Sequence, residues 1–558
     1  MSDEQPQNPR APKAKAQKTG DWVLQAADTV LAFVGERRPI VCASGISPSG
    51  PIHLGNLREV MTTHLVAEEL RRRGHEVIHH HSWDDFDRLR KVPANIDPSF
   101  VQHIGRPIAE IPDPFGEYDS WATRFITEFE QACARLGIQP RWVRQSKMYR
   151  AGAYVEGIRT ALRRRFEIFD ILARYQTEKL QDKPIEERRA EYWPFQVYCE
   201  VCNKDSTQVT AYDDATDTIT YRCVEHGERS FVLGERCPGK LVWKVDWPMR
   251  WAYEGVVFEP GGEDHSTPGG SYTVGCDLAP TIYGVAAPCY VGYGFVGMAG
   301  RTKISSSAGT NATPEFALRF IEPALLRWLY IRRAVGTKFT IEFGSEIWRA
   351  YDEWDAFCDK ARAQDADEVT QGILARSLAT SAGPVAQVKR AVPFRLLWSS
   401  ADMTDGRLDQ ILRIVAHHVE DPPDAATLEA EIQPRLACAT GWVENCLPED
   451  ERLSVRADFD ADAHAALDPQ TAQGVALLAE RLAAHWSLTG LTEQVYGVPK
   501  DLLGLPRDIK PTPELQVAQR AFFKALYTLI LGKETGPRLP TLFLSLGLER
   551  TRRLLIGA

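Results

Sequence analysis

Three clusters in this 558-residue chain carry residue types that do chemistry at useful spacings. The first is Ser44-Gly45-Ile46-Ser47-Pro48-Ser49-Gly50-Pro51-Ile52-His53-Leu54-Gly55-Asn56. It lies between an apolar run and a helical pattern, so its free N–H groups suit an anionic ligand. The second is Gly300-Arg301-Thr302-Lys303-Ile304-Ser305-Ser306-Ser307-Ala308-Gly309. There Lys303 offers a point charge and Ser305, Ser306 and Ser307 neutral donors, a set able to wrap a phosphate chain. The third is Cys199-Glu200-Val201-Cys202 with Cys223-Val224-Glu225-His226, two knuckles whose sulfur and nitrogen ligands suit a closed, structural tetrahedral Zn2+ site. Cys237 competes with His226 for the fourth position.

Two other patterns are set aside. Gly292-Tyr293-Gly294-Phe295-Val296-Gly297 fits a dinucleotide fingerprint by letter, but no helix pattern follows it, and no Walker A sequence occurs. His79-His80-His81 sits on a strand pattern, where only His79 and His81 share a face, and reads as structural or substrate-lining rather than metal-binding.

The elements that must position these clusters follow from periodicity. Pro39–Ala43 predicts a buried strand. Leu54, Leu57, Met61 and Leu65 predict a helix, closed by Arg71-Arg72-Arg73-Gly74. Glu76–His81 predicts a second strand, followed by the acidic loop Trp83-Asp84-Asp85-Phe86-Asp87. Strand, helix, strand with ligand-suited loops at strand ends is the start of an α/β, Rossmann-type doubly wound parallel sheet. This sheet domain occupies 21–150 and 241–335, interrupted by an insertion at 151–240 that holds the zinc-ribbon knuckles. A helical connector covers 336–400 and an all-helical region 401–558. Within the latter, Val475, Leu478, Leu482 and Trp486 form one apolar stripe. Leu515, Ala518, Phe522, Leu526 and Leu529 form another, opened by Thr512-Pro513 and closed by Gly532.

Composition bounds the rest. A hydrophobic share of 44% with 25% charged residues is ordinary for globular chains. The net charge of −9 excludes a protein that coats nucleic acid through its overall field. Local basic runs, Arg71-Arg72-Arg73, Arg88/Arg90/Lys91, Arg163-Arg164-Arg165 and Arg550/Arg552/Arg553, read first as solvated helix faces. Residues 1–20 read as a disordered tail rather than a signal peptide, so the eleven cysteines are expected reduced and the location cytoplasmic, with no membrane association.

Taken together, the P-S-G-x-x-H-x-G-N turn and the K-x-S-x-S loop some 250 residues later resemble the class I aminoacyl-tRNA synthetases, whose two signatures are called HIGH and KMSKS. The form with Asn56 in place of a second His is similar to the lysyl subgroup of that class. So are Trp83-Asp84-Asp85-Phe86-Asp87-Arg88, Lys244-Val245-Asp246-Trp247-Pro248-Met249-Arg250-Trp251, and Asp264-His265 followed by Gly269-Gly270-Ser271-Tyr272. The likeness is strong over about residues 38–330.

The resemblance implies lysine activation by ATP and Mg2+, then transfer to the terminal ribose of tRNA(Lys). It implies that Ser49, Gly50, His53, Gly55, Asn56, Lys303, Ser305, Ser306 and Ser307 bind ATP, with His53, Asn56, Lys303 and Ser305 catalytic. Ser306 stands where the signature has its second lysine, which puts more weight on Lys303. Lysine specificity requires an acid, for which Glu59 and Asp246 are the candidates, with His265 and Tyr293 as pocket walls. Glu59 sits about a third of a turn around the helix from His53, so it serves only if that side lines the cleft. The resemblance also makes 401–558 the anticodon-binding region; a monomer is favoured. The rival readings are a glutamyl- or cysteinyl-type enzyme, a synthetase-like nucleic-acid-binding protein without activation, and a nucleotidyltransferase of similar fold.

Overall fold

Strand β1 (Ile40–Ile46) is buried along almost its whole length, as the apolar run predicts. It is preceded by helix α1 (Trp22–Val34), capped by Asp21, and followed by helix α2 (Leu54–Arg72). The predicted stripe of α2, Leu54, Leu57, Met61 and Leu65, is wholly buried. The helix ends where the arginines and Gly74 place its end, with Gly74 at φ +85°. Strand β2 (Val77–Trp83), helix α3 (Trp121–Arg135) and strand β3 (Arg141–Arg144) follow. The computed structural model describes residues 21–93, 96–176, 183–297, 312–449, 451–510 and 512–557. The tail at 1–20 and the Lys303/Ser305–Ser307 loop lie outside the described residues.

The strands β3, β2, β1 and Val256–Phe258 form one sheet in that order, all parallel. Parallel pairing continues through a Phe258–Cys289 bridge and Gly261–Gly262 against Gly292–Tyr293. A parallel sheet with order reversing at its first strand opens a crevice at the carboxyl ends of its strands. Gly45, Ile46, Asp84 and Glu259 all lie at those ends.

Helices Val155–Arg163 and Arg165–Ala173 open the insertion. It continues as a three-stranded antiparallel sheet of Thr207–Asp213, Thr218–Cys223 and Gly227–Val232. Phe195–Val197 pairs with Gly239–Leu241 at its base. Val209, Ile219, Tyr221 and Phe231 form its core with Tyr149 and Tyr198. The three histidines of β2 are all buried. His81 shares a hydrogen bond of 2.7 Å with Ser44 Oγ, and His80 Nε2 lies 3.1 Å from Glu254. His79 packs against the ring of His64. These are packing roles, and among the described residues no third metal ligand joins them.

The chain divides into two compact units, each assembled from more than one stretch of sequence. The second takes 319–322, 343–357 and everything described from 386 onward. Its hub is Arg435, fully buried, whose guanidinium meets Glu322 at 2.5 Å and Asp355 at 2.7 Å. Removing one partner of such a buried pair costs about 3–5 kcal/mol, so the segments cannot be parted cheaply. Both predicted stripes face this unit's core, and Thr512 and Gly532 cap their helix as expected.

Candidate active site and metal site

His53 is the N-cap of α2. Its Nδ1 accepts the Asn56 N–H at 3.3 Å, while Asn56 Oδ1 accepts the His53 N–H at 3.4 Å. This reciprocal pair caps the helix and fixes both side chains at the turn after β1. Gly55 is required here for a reason the sequence does not display. A Cβ at that position would stand 2.8 Å from the His53 ring.

One turn further on, Glu59 leaves α2 toward the same side. Its Oε1 accepts the Gly45 N–H at 2.6 Å and its Oε2 the Tyr293 hydroxyl at 2.8 Å. The carboxyl keeps only a narrow opening, and burial pushes its pKa up to about 8, with the neighbouring Glu259 and Asp84 adding to the rise and its two donors opposing it. The side of α2 carrying Glu59 thus faces the crevice.

His53, Gly55, Asn56, Glu59, His265 and Tyr293 line a single cleft of about 600 Å³. Ser49 is exposed and Gly50 buried in the turn before α2, and neither lines that cleft. Asp246 does not line it either. It is fully buried, accepts a hydrogen bond from the Tyr149 hydroxyl, and lies 3.2 Å from Arg250 and 3.7 Å from Lys240. With those partners Asp246 holds cations in place and is not open to a substrate ammonium.

The facing wall holds residues that spacing did not single out. Lys240, 6% exposed, lies 2.7 Å from Asp87, and Arg250 lies 2.9 Å from Asp84. Burial pushes Asp84 up to about 6 against these cations. Burial also opposes ionisation of Asp87, but the Lys240 ammonium holds it below the usual carboxylate range. Glu259, just after the Val256–Phe258 strand, accepts from the Trp251 indole at 2.7 Å; burial pushes it up to about 7. An acid directly following an apolar strand is the signal that marks it. Trp243 and Trp247 stack at 5.2 Å beside it, and His265 packs edge-on against Trp247 at 5.6 Å.

In the insertion, the ligand atoms of Cys199, Cys202, Cys223 and His226 all lie within 4.8 Å of one another. Cys199 Sγ is 3.7 Å and Cys223 Sγ 3.5 Å from His226 Nδ1, and Cys202 and Cys223 sulfurs are 4.0 Å apart. Tetrahedral arms of about 2.3 Å subtend edges of about 3.8 Å, so these four residues fit a zinc ion. Cys237 stays outside, its thiol buried against the Gly239 carbonyl at 3.4 Å.

The family model described as "tRNA synthetases class I (K)" matches residues 20–379. This chain belongs to the class I tRNA synthetases. It is 45% identical to the lysine–tRNA ligase of Streptomyces coelicolor, over 97% of this chain and 99% of that protein. It is 32% identical to the lysine–tRNA ligase of Thermococcus kodakarensis, over 95% and 98% respectively. A solved glutamate tRNA ligase from Elizabethkingia meningosepticum aligns over 93% of this chain and 98% of its own, with 14% identity and a TM-score of 0.39. Among the described residues of this synthetase, no helix is long and apolar enough to cross a membrane.

Proposed function

We propose that the chain is a lysine–tRNA ligase, which activates lysine with ATP and transfers the lysyl group to the terminal ribose of tRNA(Lys). The observation that carries this reading is Glu59, a carboxylate held by Gly45 and Tyr293 beside the His53/Asn56 turn. A glutamyl-type enzyme would need a cation where Glu59 stands.

In the first step a lysine carboxylate oxygen attacks the α-phosphorus. The bond from that phosphorus to the bridging oxygen breaks and pyrophosphate leaves; Mg2+, expected with ATP in this family, would offset its charge. His53 and Asn56, fixed by their mutual cap, face phosphate oxygens on which charge builds. By the resemblance, Lys303 and Ser305, with Ser306 and Ser307, serve the pyrophosphate end. Such groups act by positioning and by charge stabilisation rather than by proton transfer. In the second step a ribose hydroxyl attacks the lysyl carbonyl and AMP departs. Glu59 receives the ε-ammonium, and Tyr293 and His265 bound the pocket.

Cys199, Cys202, Cys223 and His226 would hold a structural Zn2+, which ties the insertion's two knuckles together. The second unit supplies the surface for the anticodon. The same reading takes the enzyme to be a cytoplasmic monomer. Charging of tRNA(Lys) with labelled lysine tests the assignment. Lysine incorporation unaffected by excess glutamate or cysteine is expected, and charging with either of those instead would overturn it.

A further inference from the structure

Behind the cleft lies a smaller cavity of about 40 Å³. The two meet through four shared lining residues, Gly45, Glu59, Trp243 and His265. The inner volume suits one water-sized group. Glu259 lies on its far wall, 6% exposed, one oxygen accepting the Trp251 N–H. Glu59 stands at its entrance. The other titratable groups facing it are Arg250, Glu254 and His265. Arg250 is engaged by Asp84 and Asp246, and Glu254 faces His80 at 3.1 Å. Neither Glu59 nor Glu259 has an ion-pair partner among the described residues.

Two carboxyls thus share one aromatic-walled chamber whose only arginine, Arg250, is paired with Asp84 and Asp246 rather than with either of them. Burying an unpaired carboxylate is costly, and burial pushes both groups up, Glu59 to about 8 and Glu259 to about 7, so that near neutral pH the first is mostly and the second partly protonated.

We propose that this chamber is the subsite for the substrate's terminal ammonium, and that Glu259 is a second specificity-determining residue that shares that cation with Glu59. The proposal rests on lysine being the amino acid activated. The apolar stem then lies along the stacked indoles of Trp243 and Trp247, and the ammonium enters between the carboxylates. A side chain one methylene shorter leaves its ammonium at the entrance. A neutral side chain of lysine's length leaves both carboxyls without the cation they are arranged around.

The test compares Glu259→Gln and Glu59→Gln in the full-length enzyme. Glutamine has nearly the volume of Glu259 and keeps one oxygen for the indole N–H groups of Trp251 and Trp247 that meet it, while the charge is lost. Glu259→Gln is expected to raise the KM for lysine on the order of tenfold or more, leaving kcat and the KM for ATP near their original values. Calorimetry of lysine binding in two buffers of different ionisation enthalpy gives a readout that packing alone does not move. Ionisation of both carboxyls on lysine binding near pH 7 releases more protons than ionisation of Glu59 alone. Proton release that falls in Glu259→Gln as well as in Glu59→Gln supports the proposal. An unchanged lysine KM in Glu259→Gln beside a raised one in Glu59→Gln overturns it. An unchanged KM in both variants removes the amino-acid pocket itself. If Glu259→Gln does not fold, proton release that vanishes altogether in Glu59→Gln is the refuting result, because Glu259 would still ionise there.

Discussion

Replacing Glu59 by glutamine removes one negative charge while leaving an acceptor for the Gly45 N–H. Losing one partner of an enclosed ammonium–carboxylate pair costs about 3–5 kcal/mol. Part of that is offset before lysine arrives. Burial raises the carboxyl from 4.5 to about 8, so it is mostly neutral at pH 7 and must lose its proton to accept the cation. At about 1.4 kcal/mol per pH unit, this reduces the net loss to about 1.6–3.6 kcal/mol at pH 7, roughly fifteen- to four-hundredfold in KM. The sign follows from the raised pKa: the binding form is scarce below 8 and dominant above it, while the lysine ammonium stays charged throughout. In the original enzyme the KM for lysine should therefore fall as pH rises from 6.5 to 8, then level. Glu59→Gln should lose most of this slope and show its largest defect above pH 8. Lysine-dependent pyrophosphate exchange at several pH values reads both effects. A variant within threefold of the original at pH 8, or an original KM flat across that range, would refute the reasoning.

Gly55→Ala places a methyl 2.8 Å from the His53 ring, so stopped-flow measurement should show slower adenylate formation with lysine affinity little changed. Lys303→Ala should slow the same step on the order of a hundredfold or more, the range seen when one preorganised donor is removed; an unaltered rate removes that loop from the site. Metal analysis should find about one zinc per chain, kept in Cys237→Ala and lost in His226→Ala; the reverse pattern reassigns the fourth ligand. In the second unit, burial and then the nearby Arg407 and Arg553 lower the proton affinity of Arg550, and none of the three has an ion pair among the described residues. Reversing their charges should raise the KM for tRNA and flatten its salt dependence by about one unit of slope for each phosphate no longer neutralised, with lysine activation in the absence of tRNA unchanged.

Much of the turn between β1 and α2 was legible because local rules govern it. A helix start needs a cap, a stop needs a glycine, and Leu54, Leu57, Met61 and Leu65 can face only one side. The convergence of Cys199, Cys202, Cys223 and His226 was legible for the same reason, since two short knuckles carry their geometry in their spacing. The pocket's acids were less so. Glu59 depended on which side of α2 met the crevice, a matter of helix packing rather than period. Asp246 looked equally suited between Trp243 and Trp247, yet Arg250 one turn along the same helix and Lys240 on the strand just before it occupy it. Glu259 and Lys240 carry no motif, and only tertiary packing brings them beside the cleft. The segment boundaries were hidden likewise, because Glu322, Asp355 and Arg435 join one unit across more than a hundred residues.

The most direct test of the central claim is ATP–pyrophosphate exchange driven by each of the twenty standard amino acids in turn, with and without tRNA(Lys). The account predicts exchange with lysine above all others, strongly reduced in Glu59→Gln. Exchange driven by another amino acid, or none with lysine under either condition, would contradict it.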